Sequence, residues 1–190
     1  MPRFAIRYVR IVDRMNHGFG RFAMYLLFVL MGILLWSSIT KAAGSPANWT
    51  LEVAQFVMVG YYILGGAWSM QEGSHVRMDL LYANWSAERK AWFDSFTVFA
   101  LIFYLCVMIW GAWDSTVYSL GLKYQPIETA FLPFDIPWVR TGFMERAPTA
   151  FRPYLWPVKL VMLVGFFLML LQATACLVRD IATIRGTPIK

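Results

Sequence analysis

Three ionisable residues stand inside otherwise apolar stretches of this chain: Glu52, Asp114 and Lys159. Such groups are costly in a lipid interior, and there they face protein or mark an ion or proton path. Two chemistries suit these residue types. Two carboxylates and an ammonium can hold a cation or pass a proton, or they can neutralise one another as a structural pair. The topology derived below puts all three near the same ends of their helices, and no run of acids crosses the middle of a span. That arrangement favours pairing of Lys159 with Glu52, Asp114 or both.

Other reactive groups are few. His17 and His75 flank apolar runs on one side, which is the wrong place for two haem ligands facing into a bundle. Cys106 and Cys176 both lie within apolar runs and form no C-x-x-C, so they read as inert buried thiols. No H-E-x-x-H, P-loop or G-x-S-x-G pattern occurs. The sequence therefore predicts no enzyme, no cofactor and no metal centre.

The elements that position these residues follow from composition. Of the 190 residues, 59% are hydrophobic, against roughly 45–50% in a soluble domain. A chain of this size cannot enclose that much core, so lipid must cover the excess. A bilayer core of about 30 Å takes about 20 apolar residues in a helix. Four segments meet this: about 22–39, 49–70, 93–120 and 154–178. The first has a basic start like a signal peptide, but its apolar run of about 18 residues exceeds the ~7–15 of one, so a retained helix is expected. The fold class expected is an all-α membrane protein of four transmembrane helices, with residues 1–190 as one domain.

The net charge of +6 does not point to nucleic acid. Arg3, Arg7, Arg10, Arg14 and Arg21 precede the first apolar run, with Asp13 the sole acid among them. Lys and Arg number 11 on the side of the termini and the 71–92 loop, and six on the other. The bias places both termini, including a basic segment 1–21, in the cytoplasm. Trp49, Trp110, Trp113, Tyr118, Tyr154 and Trp156 then mark the outer interface, and Trp85 and Trp92 the inner one. Aromatic belts of this kind contact membrane lipids at headgroup depth.

Two connections carry information. Helix 2 is expected to stop near Gly73, after which come His75, Arg77 and Asp79, an interfacial hydrogen-bonding cluster. A new helix starting near Ser86 and running to Leu120 would span about 52 Å, a long third helix that tilts or protrudes. The outer loop 121–153 holds five prolines, which exclude a continuous helix. Its apolar stretch 131–138 is expected on the membrane surface or against a partner.

Helix 2 also shows a stripe. Glu52, Gln55, Val59, Tyr62, Gly66, Ser69 and Gly73 recur at three- and four-residue steps. Polar and small residues on one face let helices approach closely and hydrogen-bond. The opposite face, with Phe56 and Leu64, is expected to meet lipid.

The stretch from Trp49-Thr50-Leu51-Glu52 to Gly73-Ser74-His75-Val76-Arg77-Met78-Asp79, with Leu155-Trp156-Pro157-Val158-Lys159 opening the last helix, resembles the small membrane subunit of tripartite ATP-independent periplasmic (TRAP) transporters. The resemblance covers most of the chain, excepting the basic N-terminus and the long Pro-rich loop. It implies three components: a periplasmic substrate-binding protein, a large elevator-type permease driven by a sodium gradient, and this chain as an extension of the permease scaffold in the bacterial inner membrane. It further implies that Gly73, His75, Arg77 and Asp79 organise the inner turn and that Glu52 and Lys159 organise the outer rim; Gly66 on the helix 2 stripe, Asp114 in helix 3 and Trp156 in the outer belt are expected to serve structure or interfaces. The alternatives are a standalone tetraspan assembly factor and a redox carrier.

Overall fold

The computed structural model describes residues 3–72, 87–126, 135–140 and 142–185. Gly73, His75, Arg77 and Asp79 lie outside the described residues, as do Trp85 and Ser86. Four helices follow one another: α1 (Arg3–Ala42), α2 (Thr50–Gln71), α3 (Ala87–Ser119) and α4 (Trp156–Ile184). Each is long and apolar enough to cross a membrane. The three later helices begin and end close to where the hydrophobic runs place them.

The first differs. Its helix opens at Arg3, not near Phe22, and runs for 40 residues, so α1 and not α3 is the longest. The basic segment is not a tail but about five helical turns of the same rod. The reason is periodic: Val9, Val12, Asn16, Gly20 and Ala23 recur at three- and four-residue steps and are all buried.

α1 ends at a left-handed glycine. Gly44 has φ +74, and the amides of Ser45 and Gly44 donate to the carbonyls of Thr40 and Lys41 at 3.1 Å each. This is a Schellman closure, which needs a residue free of a Cβ penalty. The chain then reverses, and the Thr50 hydroxyl donates to Ser37 Oγ at 3.1 Å, tying the start of α2 to α1.

Small residues set the packing. α1 and α2 run antiparallel, with Gly20 against Trp68 and Leu26 against Gly60. α2 and α4 run parallel, since Gly60 faces Val161, Ile63 faces Gly165 and Gly66 faces Met169. A Cβ at Gly165 would lie 2.0 Å from Ile63 Cγ2, and one at Gly20 would lie 2.4 Å from Trp68 Cγ. Close approach of backbones is what small residues supply where lipid gives helices no hydrophobic reason to associate. α4 is the hub, touching the other three helices.

The buried face of α2 follows the stripe that spacing suggested only in part. Glu52 is buried and Val59, Gly66 and Ser69 are half-buried, but Gln55 is exposed and Tyr62 is 65% exposed, while Thr50, Ala54, Gly60, Leu64, Ala67 and Met70, outside the stripe, are buried. Leu64, expected in lipid, belongs to a core cluster with Ala23, Ala67 and Leu168. Polarity does not decide burial here, since Gly60 and Ala67 are buried beside Leu64 and Met70 while the polar Gln55 is exposed.

α3 shows the complementary pattern. Trp92, Phe96, Phe99, Phe103, Val107 and Trp110 follow a three- and four-residue repeat and are all exposed, Trp110 to 81%. Leu105 and Ala112 on the other side are buried. An apolar wall of this extent is untenable in water and suited to lipid or a partner helix.

The 121–153 connection contains a feature the prolines did not announce. Strands β1 (Leu122–Pro126) and β2 (Asp135–Arg140) pair antiparallel. Pro126 stands at the end of its strand, and Pro137 pairs with Tyr124 beside a bulge. Those are positions where a residue without an N–H is tolerated in a ladder. Of the apolar stretch 131–138, residues 131–134 lie outside the described residues.

Candidate functional sites at the two ends of the bundle

One end of the bundle carries the 121–153 connection; call it the hairpin end. Lys159, in the first turn of α4, is ion-paired with Glu145 of the connection. Its Nζ also lies 3.4 Å from the Ser115 carbonyl oxygen and 5.9 Å from the Tyr118 ring centroid, both on α3. Glu145 is held in turn by its backbone: its amide donates to Ser119 O and its carbonyl accepts from Leu155 N, each at 3.2 Å. Arg146 pairs with Tyr154 across an isolated bridge, donates to its hydroxyl and stands 4.5 Å from its ring centroid. The segment 142–155 is thereby fastened over the ends of α3 and α4.

This corrects the expected pairing. The carboxylate on Lys159 comes from Glu145 and not from Glu52 or Asp114. Asp114 is exposed on α3. Glu52 is only 7% exposed, and its Oε2 accepts no hydrogen bond among the described residues. It stands in the first turn of α2, where the positive end of the helix dipole favours an anion. The error lay in assuming that residues of equal depth must meet. α4 presents Lys159 to α3 and to the loop, while α2 contacts α4 along another side. Trp156 opens α4 with Pro157 beside it, where a missing N–H costs nothing.

The other end carries the start of α1 and the end of α4; call it the terminal end. Here α1 and α4 are joined by side chains that spacing analysis passed over. Asp13 is ion-paired with Arg179. Gln172 Nε2 donates to Asp13 Oδ1 at 3.3 Å, and Asn16 Nδ2 donates to Gln172 Oε1 at 2.6 Å. Tyr8 OH and Thr174 Oγ1 lie 2.6 Å apart. Gln172 and Asn16 are fully or almost fully buried. Two signals for this cluster were present in the sequence: one acid among five arginines, and one glutamine in the apolar run of α4.

His17 stands exposed, its ring edge-on to Trp68 at 6.3 Å, with Nε2 3.4 Å from Arg21. It does not face the bundle interior. A shallow groove of about 380 Å³ runs beside it, lined by Gly20, Tyr61, Tyr62, Gly65, Gly66 and Ser69. Cys106 is exposed and Cys176 half-buried, both unpaired as thiols; the expectation that both are buried holds for neither fully.

Residues 30–183 match the family model for tripartite ATP-independent periplasmic transporters, DctQ component. The chain belongs to the DctQ family. It is therefore a transporter component and not an enzyme, and a multi-pass membrane protein. No curated protein and no solved structure matches it significantly. The family match begins at residue 30, so the terminal cluster draws one of its two helical segments, residues 8–16 of α1, from outside the matched region. The hairpin-end cluster of this DctQ component lies wholly within it.

Proposed function

We propose that this DctQ component is the static scaffold subunit of a TRAP transporter that imports a small organic acid with a sodium gradient. It sits in the bacterial inner membrane with both termini in the cytoplasm. Its partners are a large elevator-type permease and a periplasmic substrate-binding protein. In an elevator, one part must stay fixed while the carrier domain moves through the bilayer.

One observation carries the scaffold reading. The bundle is locked along its length and at both ends. Gly20 and Gly165 admit Trp68 and Ile63 with no room for a Cβ, Asp13–Arg179 fastens one end, and Lys159–Glu145 fastens the other. A rod assembled this way resists shear between its helices. The exposed wall of α3 supplies apolar area for lipid or permease, and the hairpin sits on the side where a periplasmic partner would arrive. Orientation is supported by the excess of Lys and Arg on the terminal side.

The test is co-purification. The tagged chain, co-expressed with its neighbouring genes and extracted gently, is expected to bring a many-span permease at one-to-one stoichiometry. Recovery of the chain alone and stable in detergent would overturn the scaffold assignment and favour a freestanding tetraspan assembly factor.

A further inference from the structure

α1 is longer than a bilayer requires. Its 40 residues make a rod of about 60 Å, roughly twice the hydrocarbon core. The excess is the basic segment, and its residues are sorted by face. At about 100° per residue, Arg7, Arg10, Arg14, His17 and Arg21 fall within a sector of about 80°. All five are exposed. Asp13 lies outside that sector and is turned toward Arg179 and Gln172. Among the described residues no carboxylate pairs with Arg7, Arg10 or Arg14.

A second stripe runs beside the first. Phe4, Ile11, Met15 and Phe22 are all exposed, Phe4 to 80%. The third face, Val9, Val12, Asn16 and Gly20, is the buried one. The helix thus has a docked face, a cationic face and a bare apolar face.

Its direction follows from its contacts with α4. Asn16 meets Gln172, while Tyr8, two turns earlier, meets Thr174 and Leu171. Val9 and Val12 cluster with Ala175 between them. About 12 Å of travel along α1 corresponds to almost none along α4. The segment crosses α4 obliquely instead of running on past its end, and with the Asp13–Arg179 pair residues 8–16 stay level with Leu171–Arg179, the stretch in which α4 turns polar. A helical segment at that level with arginines on one face and bare Phe, Ile and Met on the next has the amphipathic form that binds a membrane interface.

We propose that the face formed by Arg7, Arg10, Arg14 and Arg21 is a binding surface for the phosphodiester headgroups of anionic phospholipids, and that it holds the N-terminal half of α1 in the headgroup layer. Guanidinium forks suit phosphate oxygens, donating to them in pairs. The adjacent apolar stripe lies against the acyl chains of the same lipids. This rests on the membrane assignment, not on the permease partner, so its failure and the failure of the scaffold reading are separable.

Native mass spectrometry of the purified full chain, equilibrated with equimolar phosphatidylglycerol and phosphatidylcholine, tests it. The wild type is expected to retain phosphatidylglycerol selectively. Near an anionic surface each basic residue contributes about fivefold, so Arg7→Gln/Arg10→Gln/Arg14→Gln is expected to lower that selectivity at least about tenfold. Lys41→Gln/Arg152→Gln, at the hairpin end, is expected to leave it unchanged. If the triple variant fails to fold, raising salt on the wild type is expected to erase the preference, since the stripe is exposed. Equal retention of both lipids by the wild type, or an equal loss in the hairpin-end control, overturns the proposal. So does a triple variant that keeps its lipid selectivity but loses the co-purifying permease, which would make the stripe a protein-docking face.

Discussion

The two ends of the bundle hold their charges by different means. At the terminal end, Asp13, Arg179, Gln172 and Asn16 come from two helices, α1 and α4, and each hydrogen bond crosses between them. At the hairpin end, Lys159 comes from a helix but Glu145 comes from the connection, which is itself pinned by backbone bonds to Ser119 and Leu155. The first cluster fixes how one helix crosses another. The second fixes a loop onto helices that already pack by other contacts. A polar group in a membrane protein can therefore serve the bundle or serve its cap, and sequence depth alone does not say which.

Three substitutions sharpen this contrast. Asp13→Ala is expected to do the most damage. It strands the Arg179 guanidinium and one Gln172 donor, and breaking a buried pair costs about 3–5 kcal/mol. Both side chains retain some exposure, 20% for Asp13 and 31% for Arg179, so about 2 kcal/mol is the expected loss. A double-mutant cycle with Arg179→Ala in a reversible unfolding assay measures it. Coupling below about 0.5 kcal/mol would mean the terminal cluster is incidental.

Gln172→Ala comes next. It leaves the buried Asn16 amide without its acceptor, for which about 1 kcal/mol is expected in a bilayer, where interhelical hydrogen bonds run from about 0.6 to 2 kcal/mol. The same assay reads it, and the sum with Asp13→Ala should be less than additive because the groups share one network.

Glu145→Gln is expected to have the smallest effect on global stability, about 0.5–1 kcal/mol, because the pair is no more exposed than Asp13–Arg179 but the glutamine oxygen still accepts a hydrogen bond from Lys159. Its consequence is local. Hydrogen exchange at residues 142–155 should accelerate while exchange in α2 stays unchanged. If instead the whole bundle loosens, the hairpin end is a structural lock like the terminal end, and the distinction drawn here collapses.

Much of the architecture was legible in the residues. The α2 and α4 boundaries fell near the expected ones because hydrophobic length has a direct physical meaning in a bilayer. The start of α3 near residue 87 followed from helix-start chemistry around Ser86. The longer α1 was missed because its apolar density drops before Phe22, although the buried stripe Val9, Val12, Asn16, Gly20 keeps helical period to the end. Of the candidate site residues, Lys159 was placed correctly in the first turn of α4, but its carboxylate partner was not found. Glu145 was one acid in a Pro-rich loop, and nothing local to it indicated that the chain would return it to the helix ends.

The sequence by itself determined that this is a four-helix membrane protein and where its apolar runs lie, since hydrophobic length is a property of composition and spacing. Tertiary structure alone decided which face of α2 is buried, which carboxylate meets Lys159, and that Asp13 reaches Arg179 across 166 residues of chain. Those depend on helix rotation and crossing, which backbone proximity at Gly20, Gly60 and Gly165 sets and which no single segment encodes.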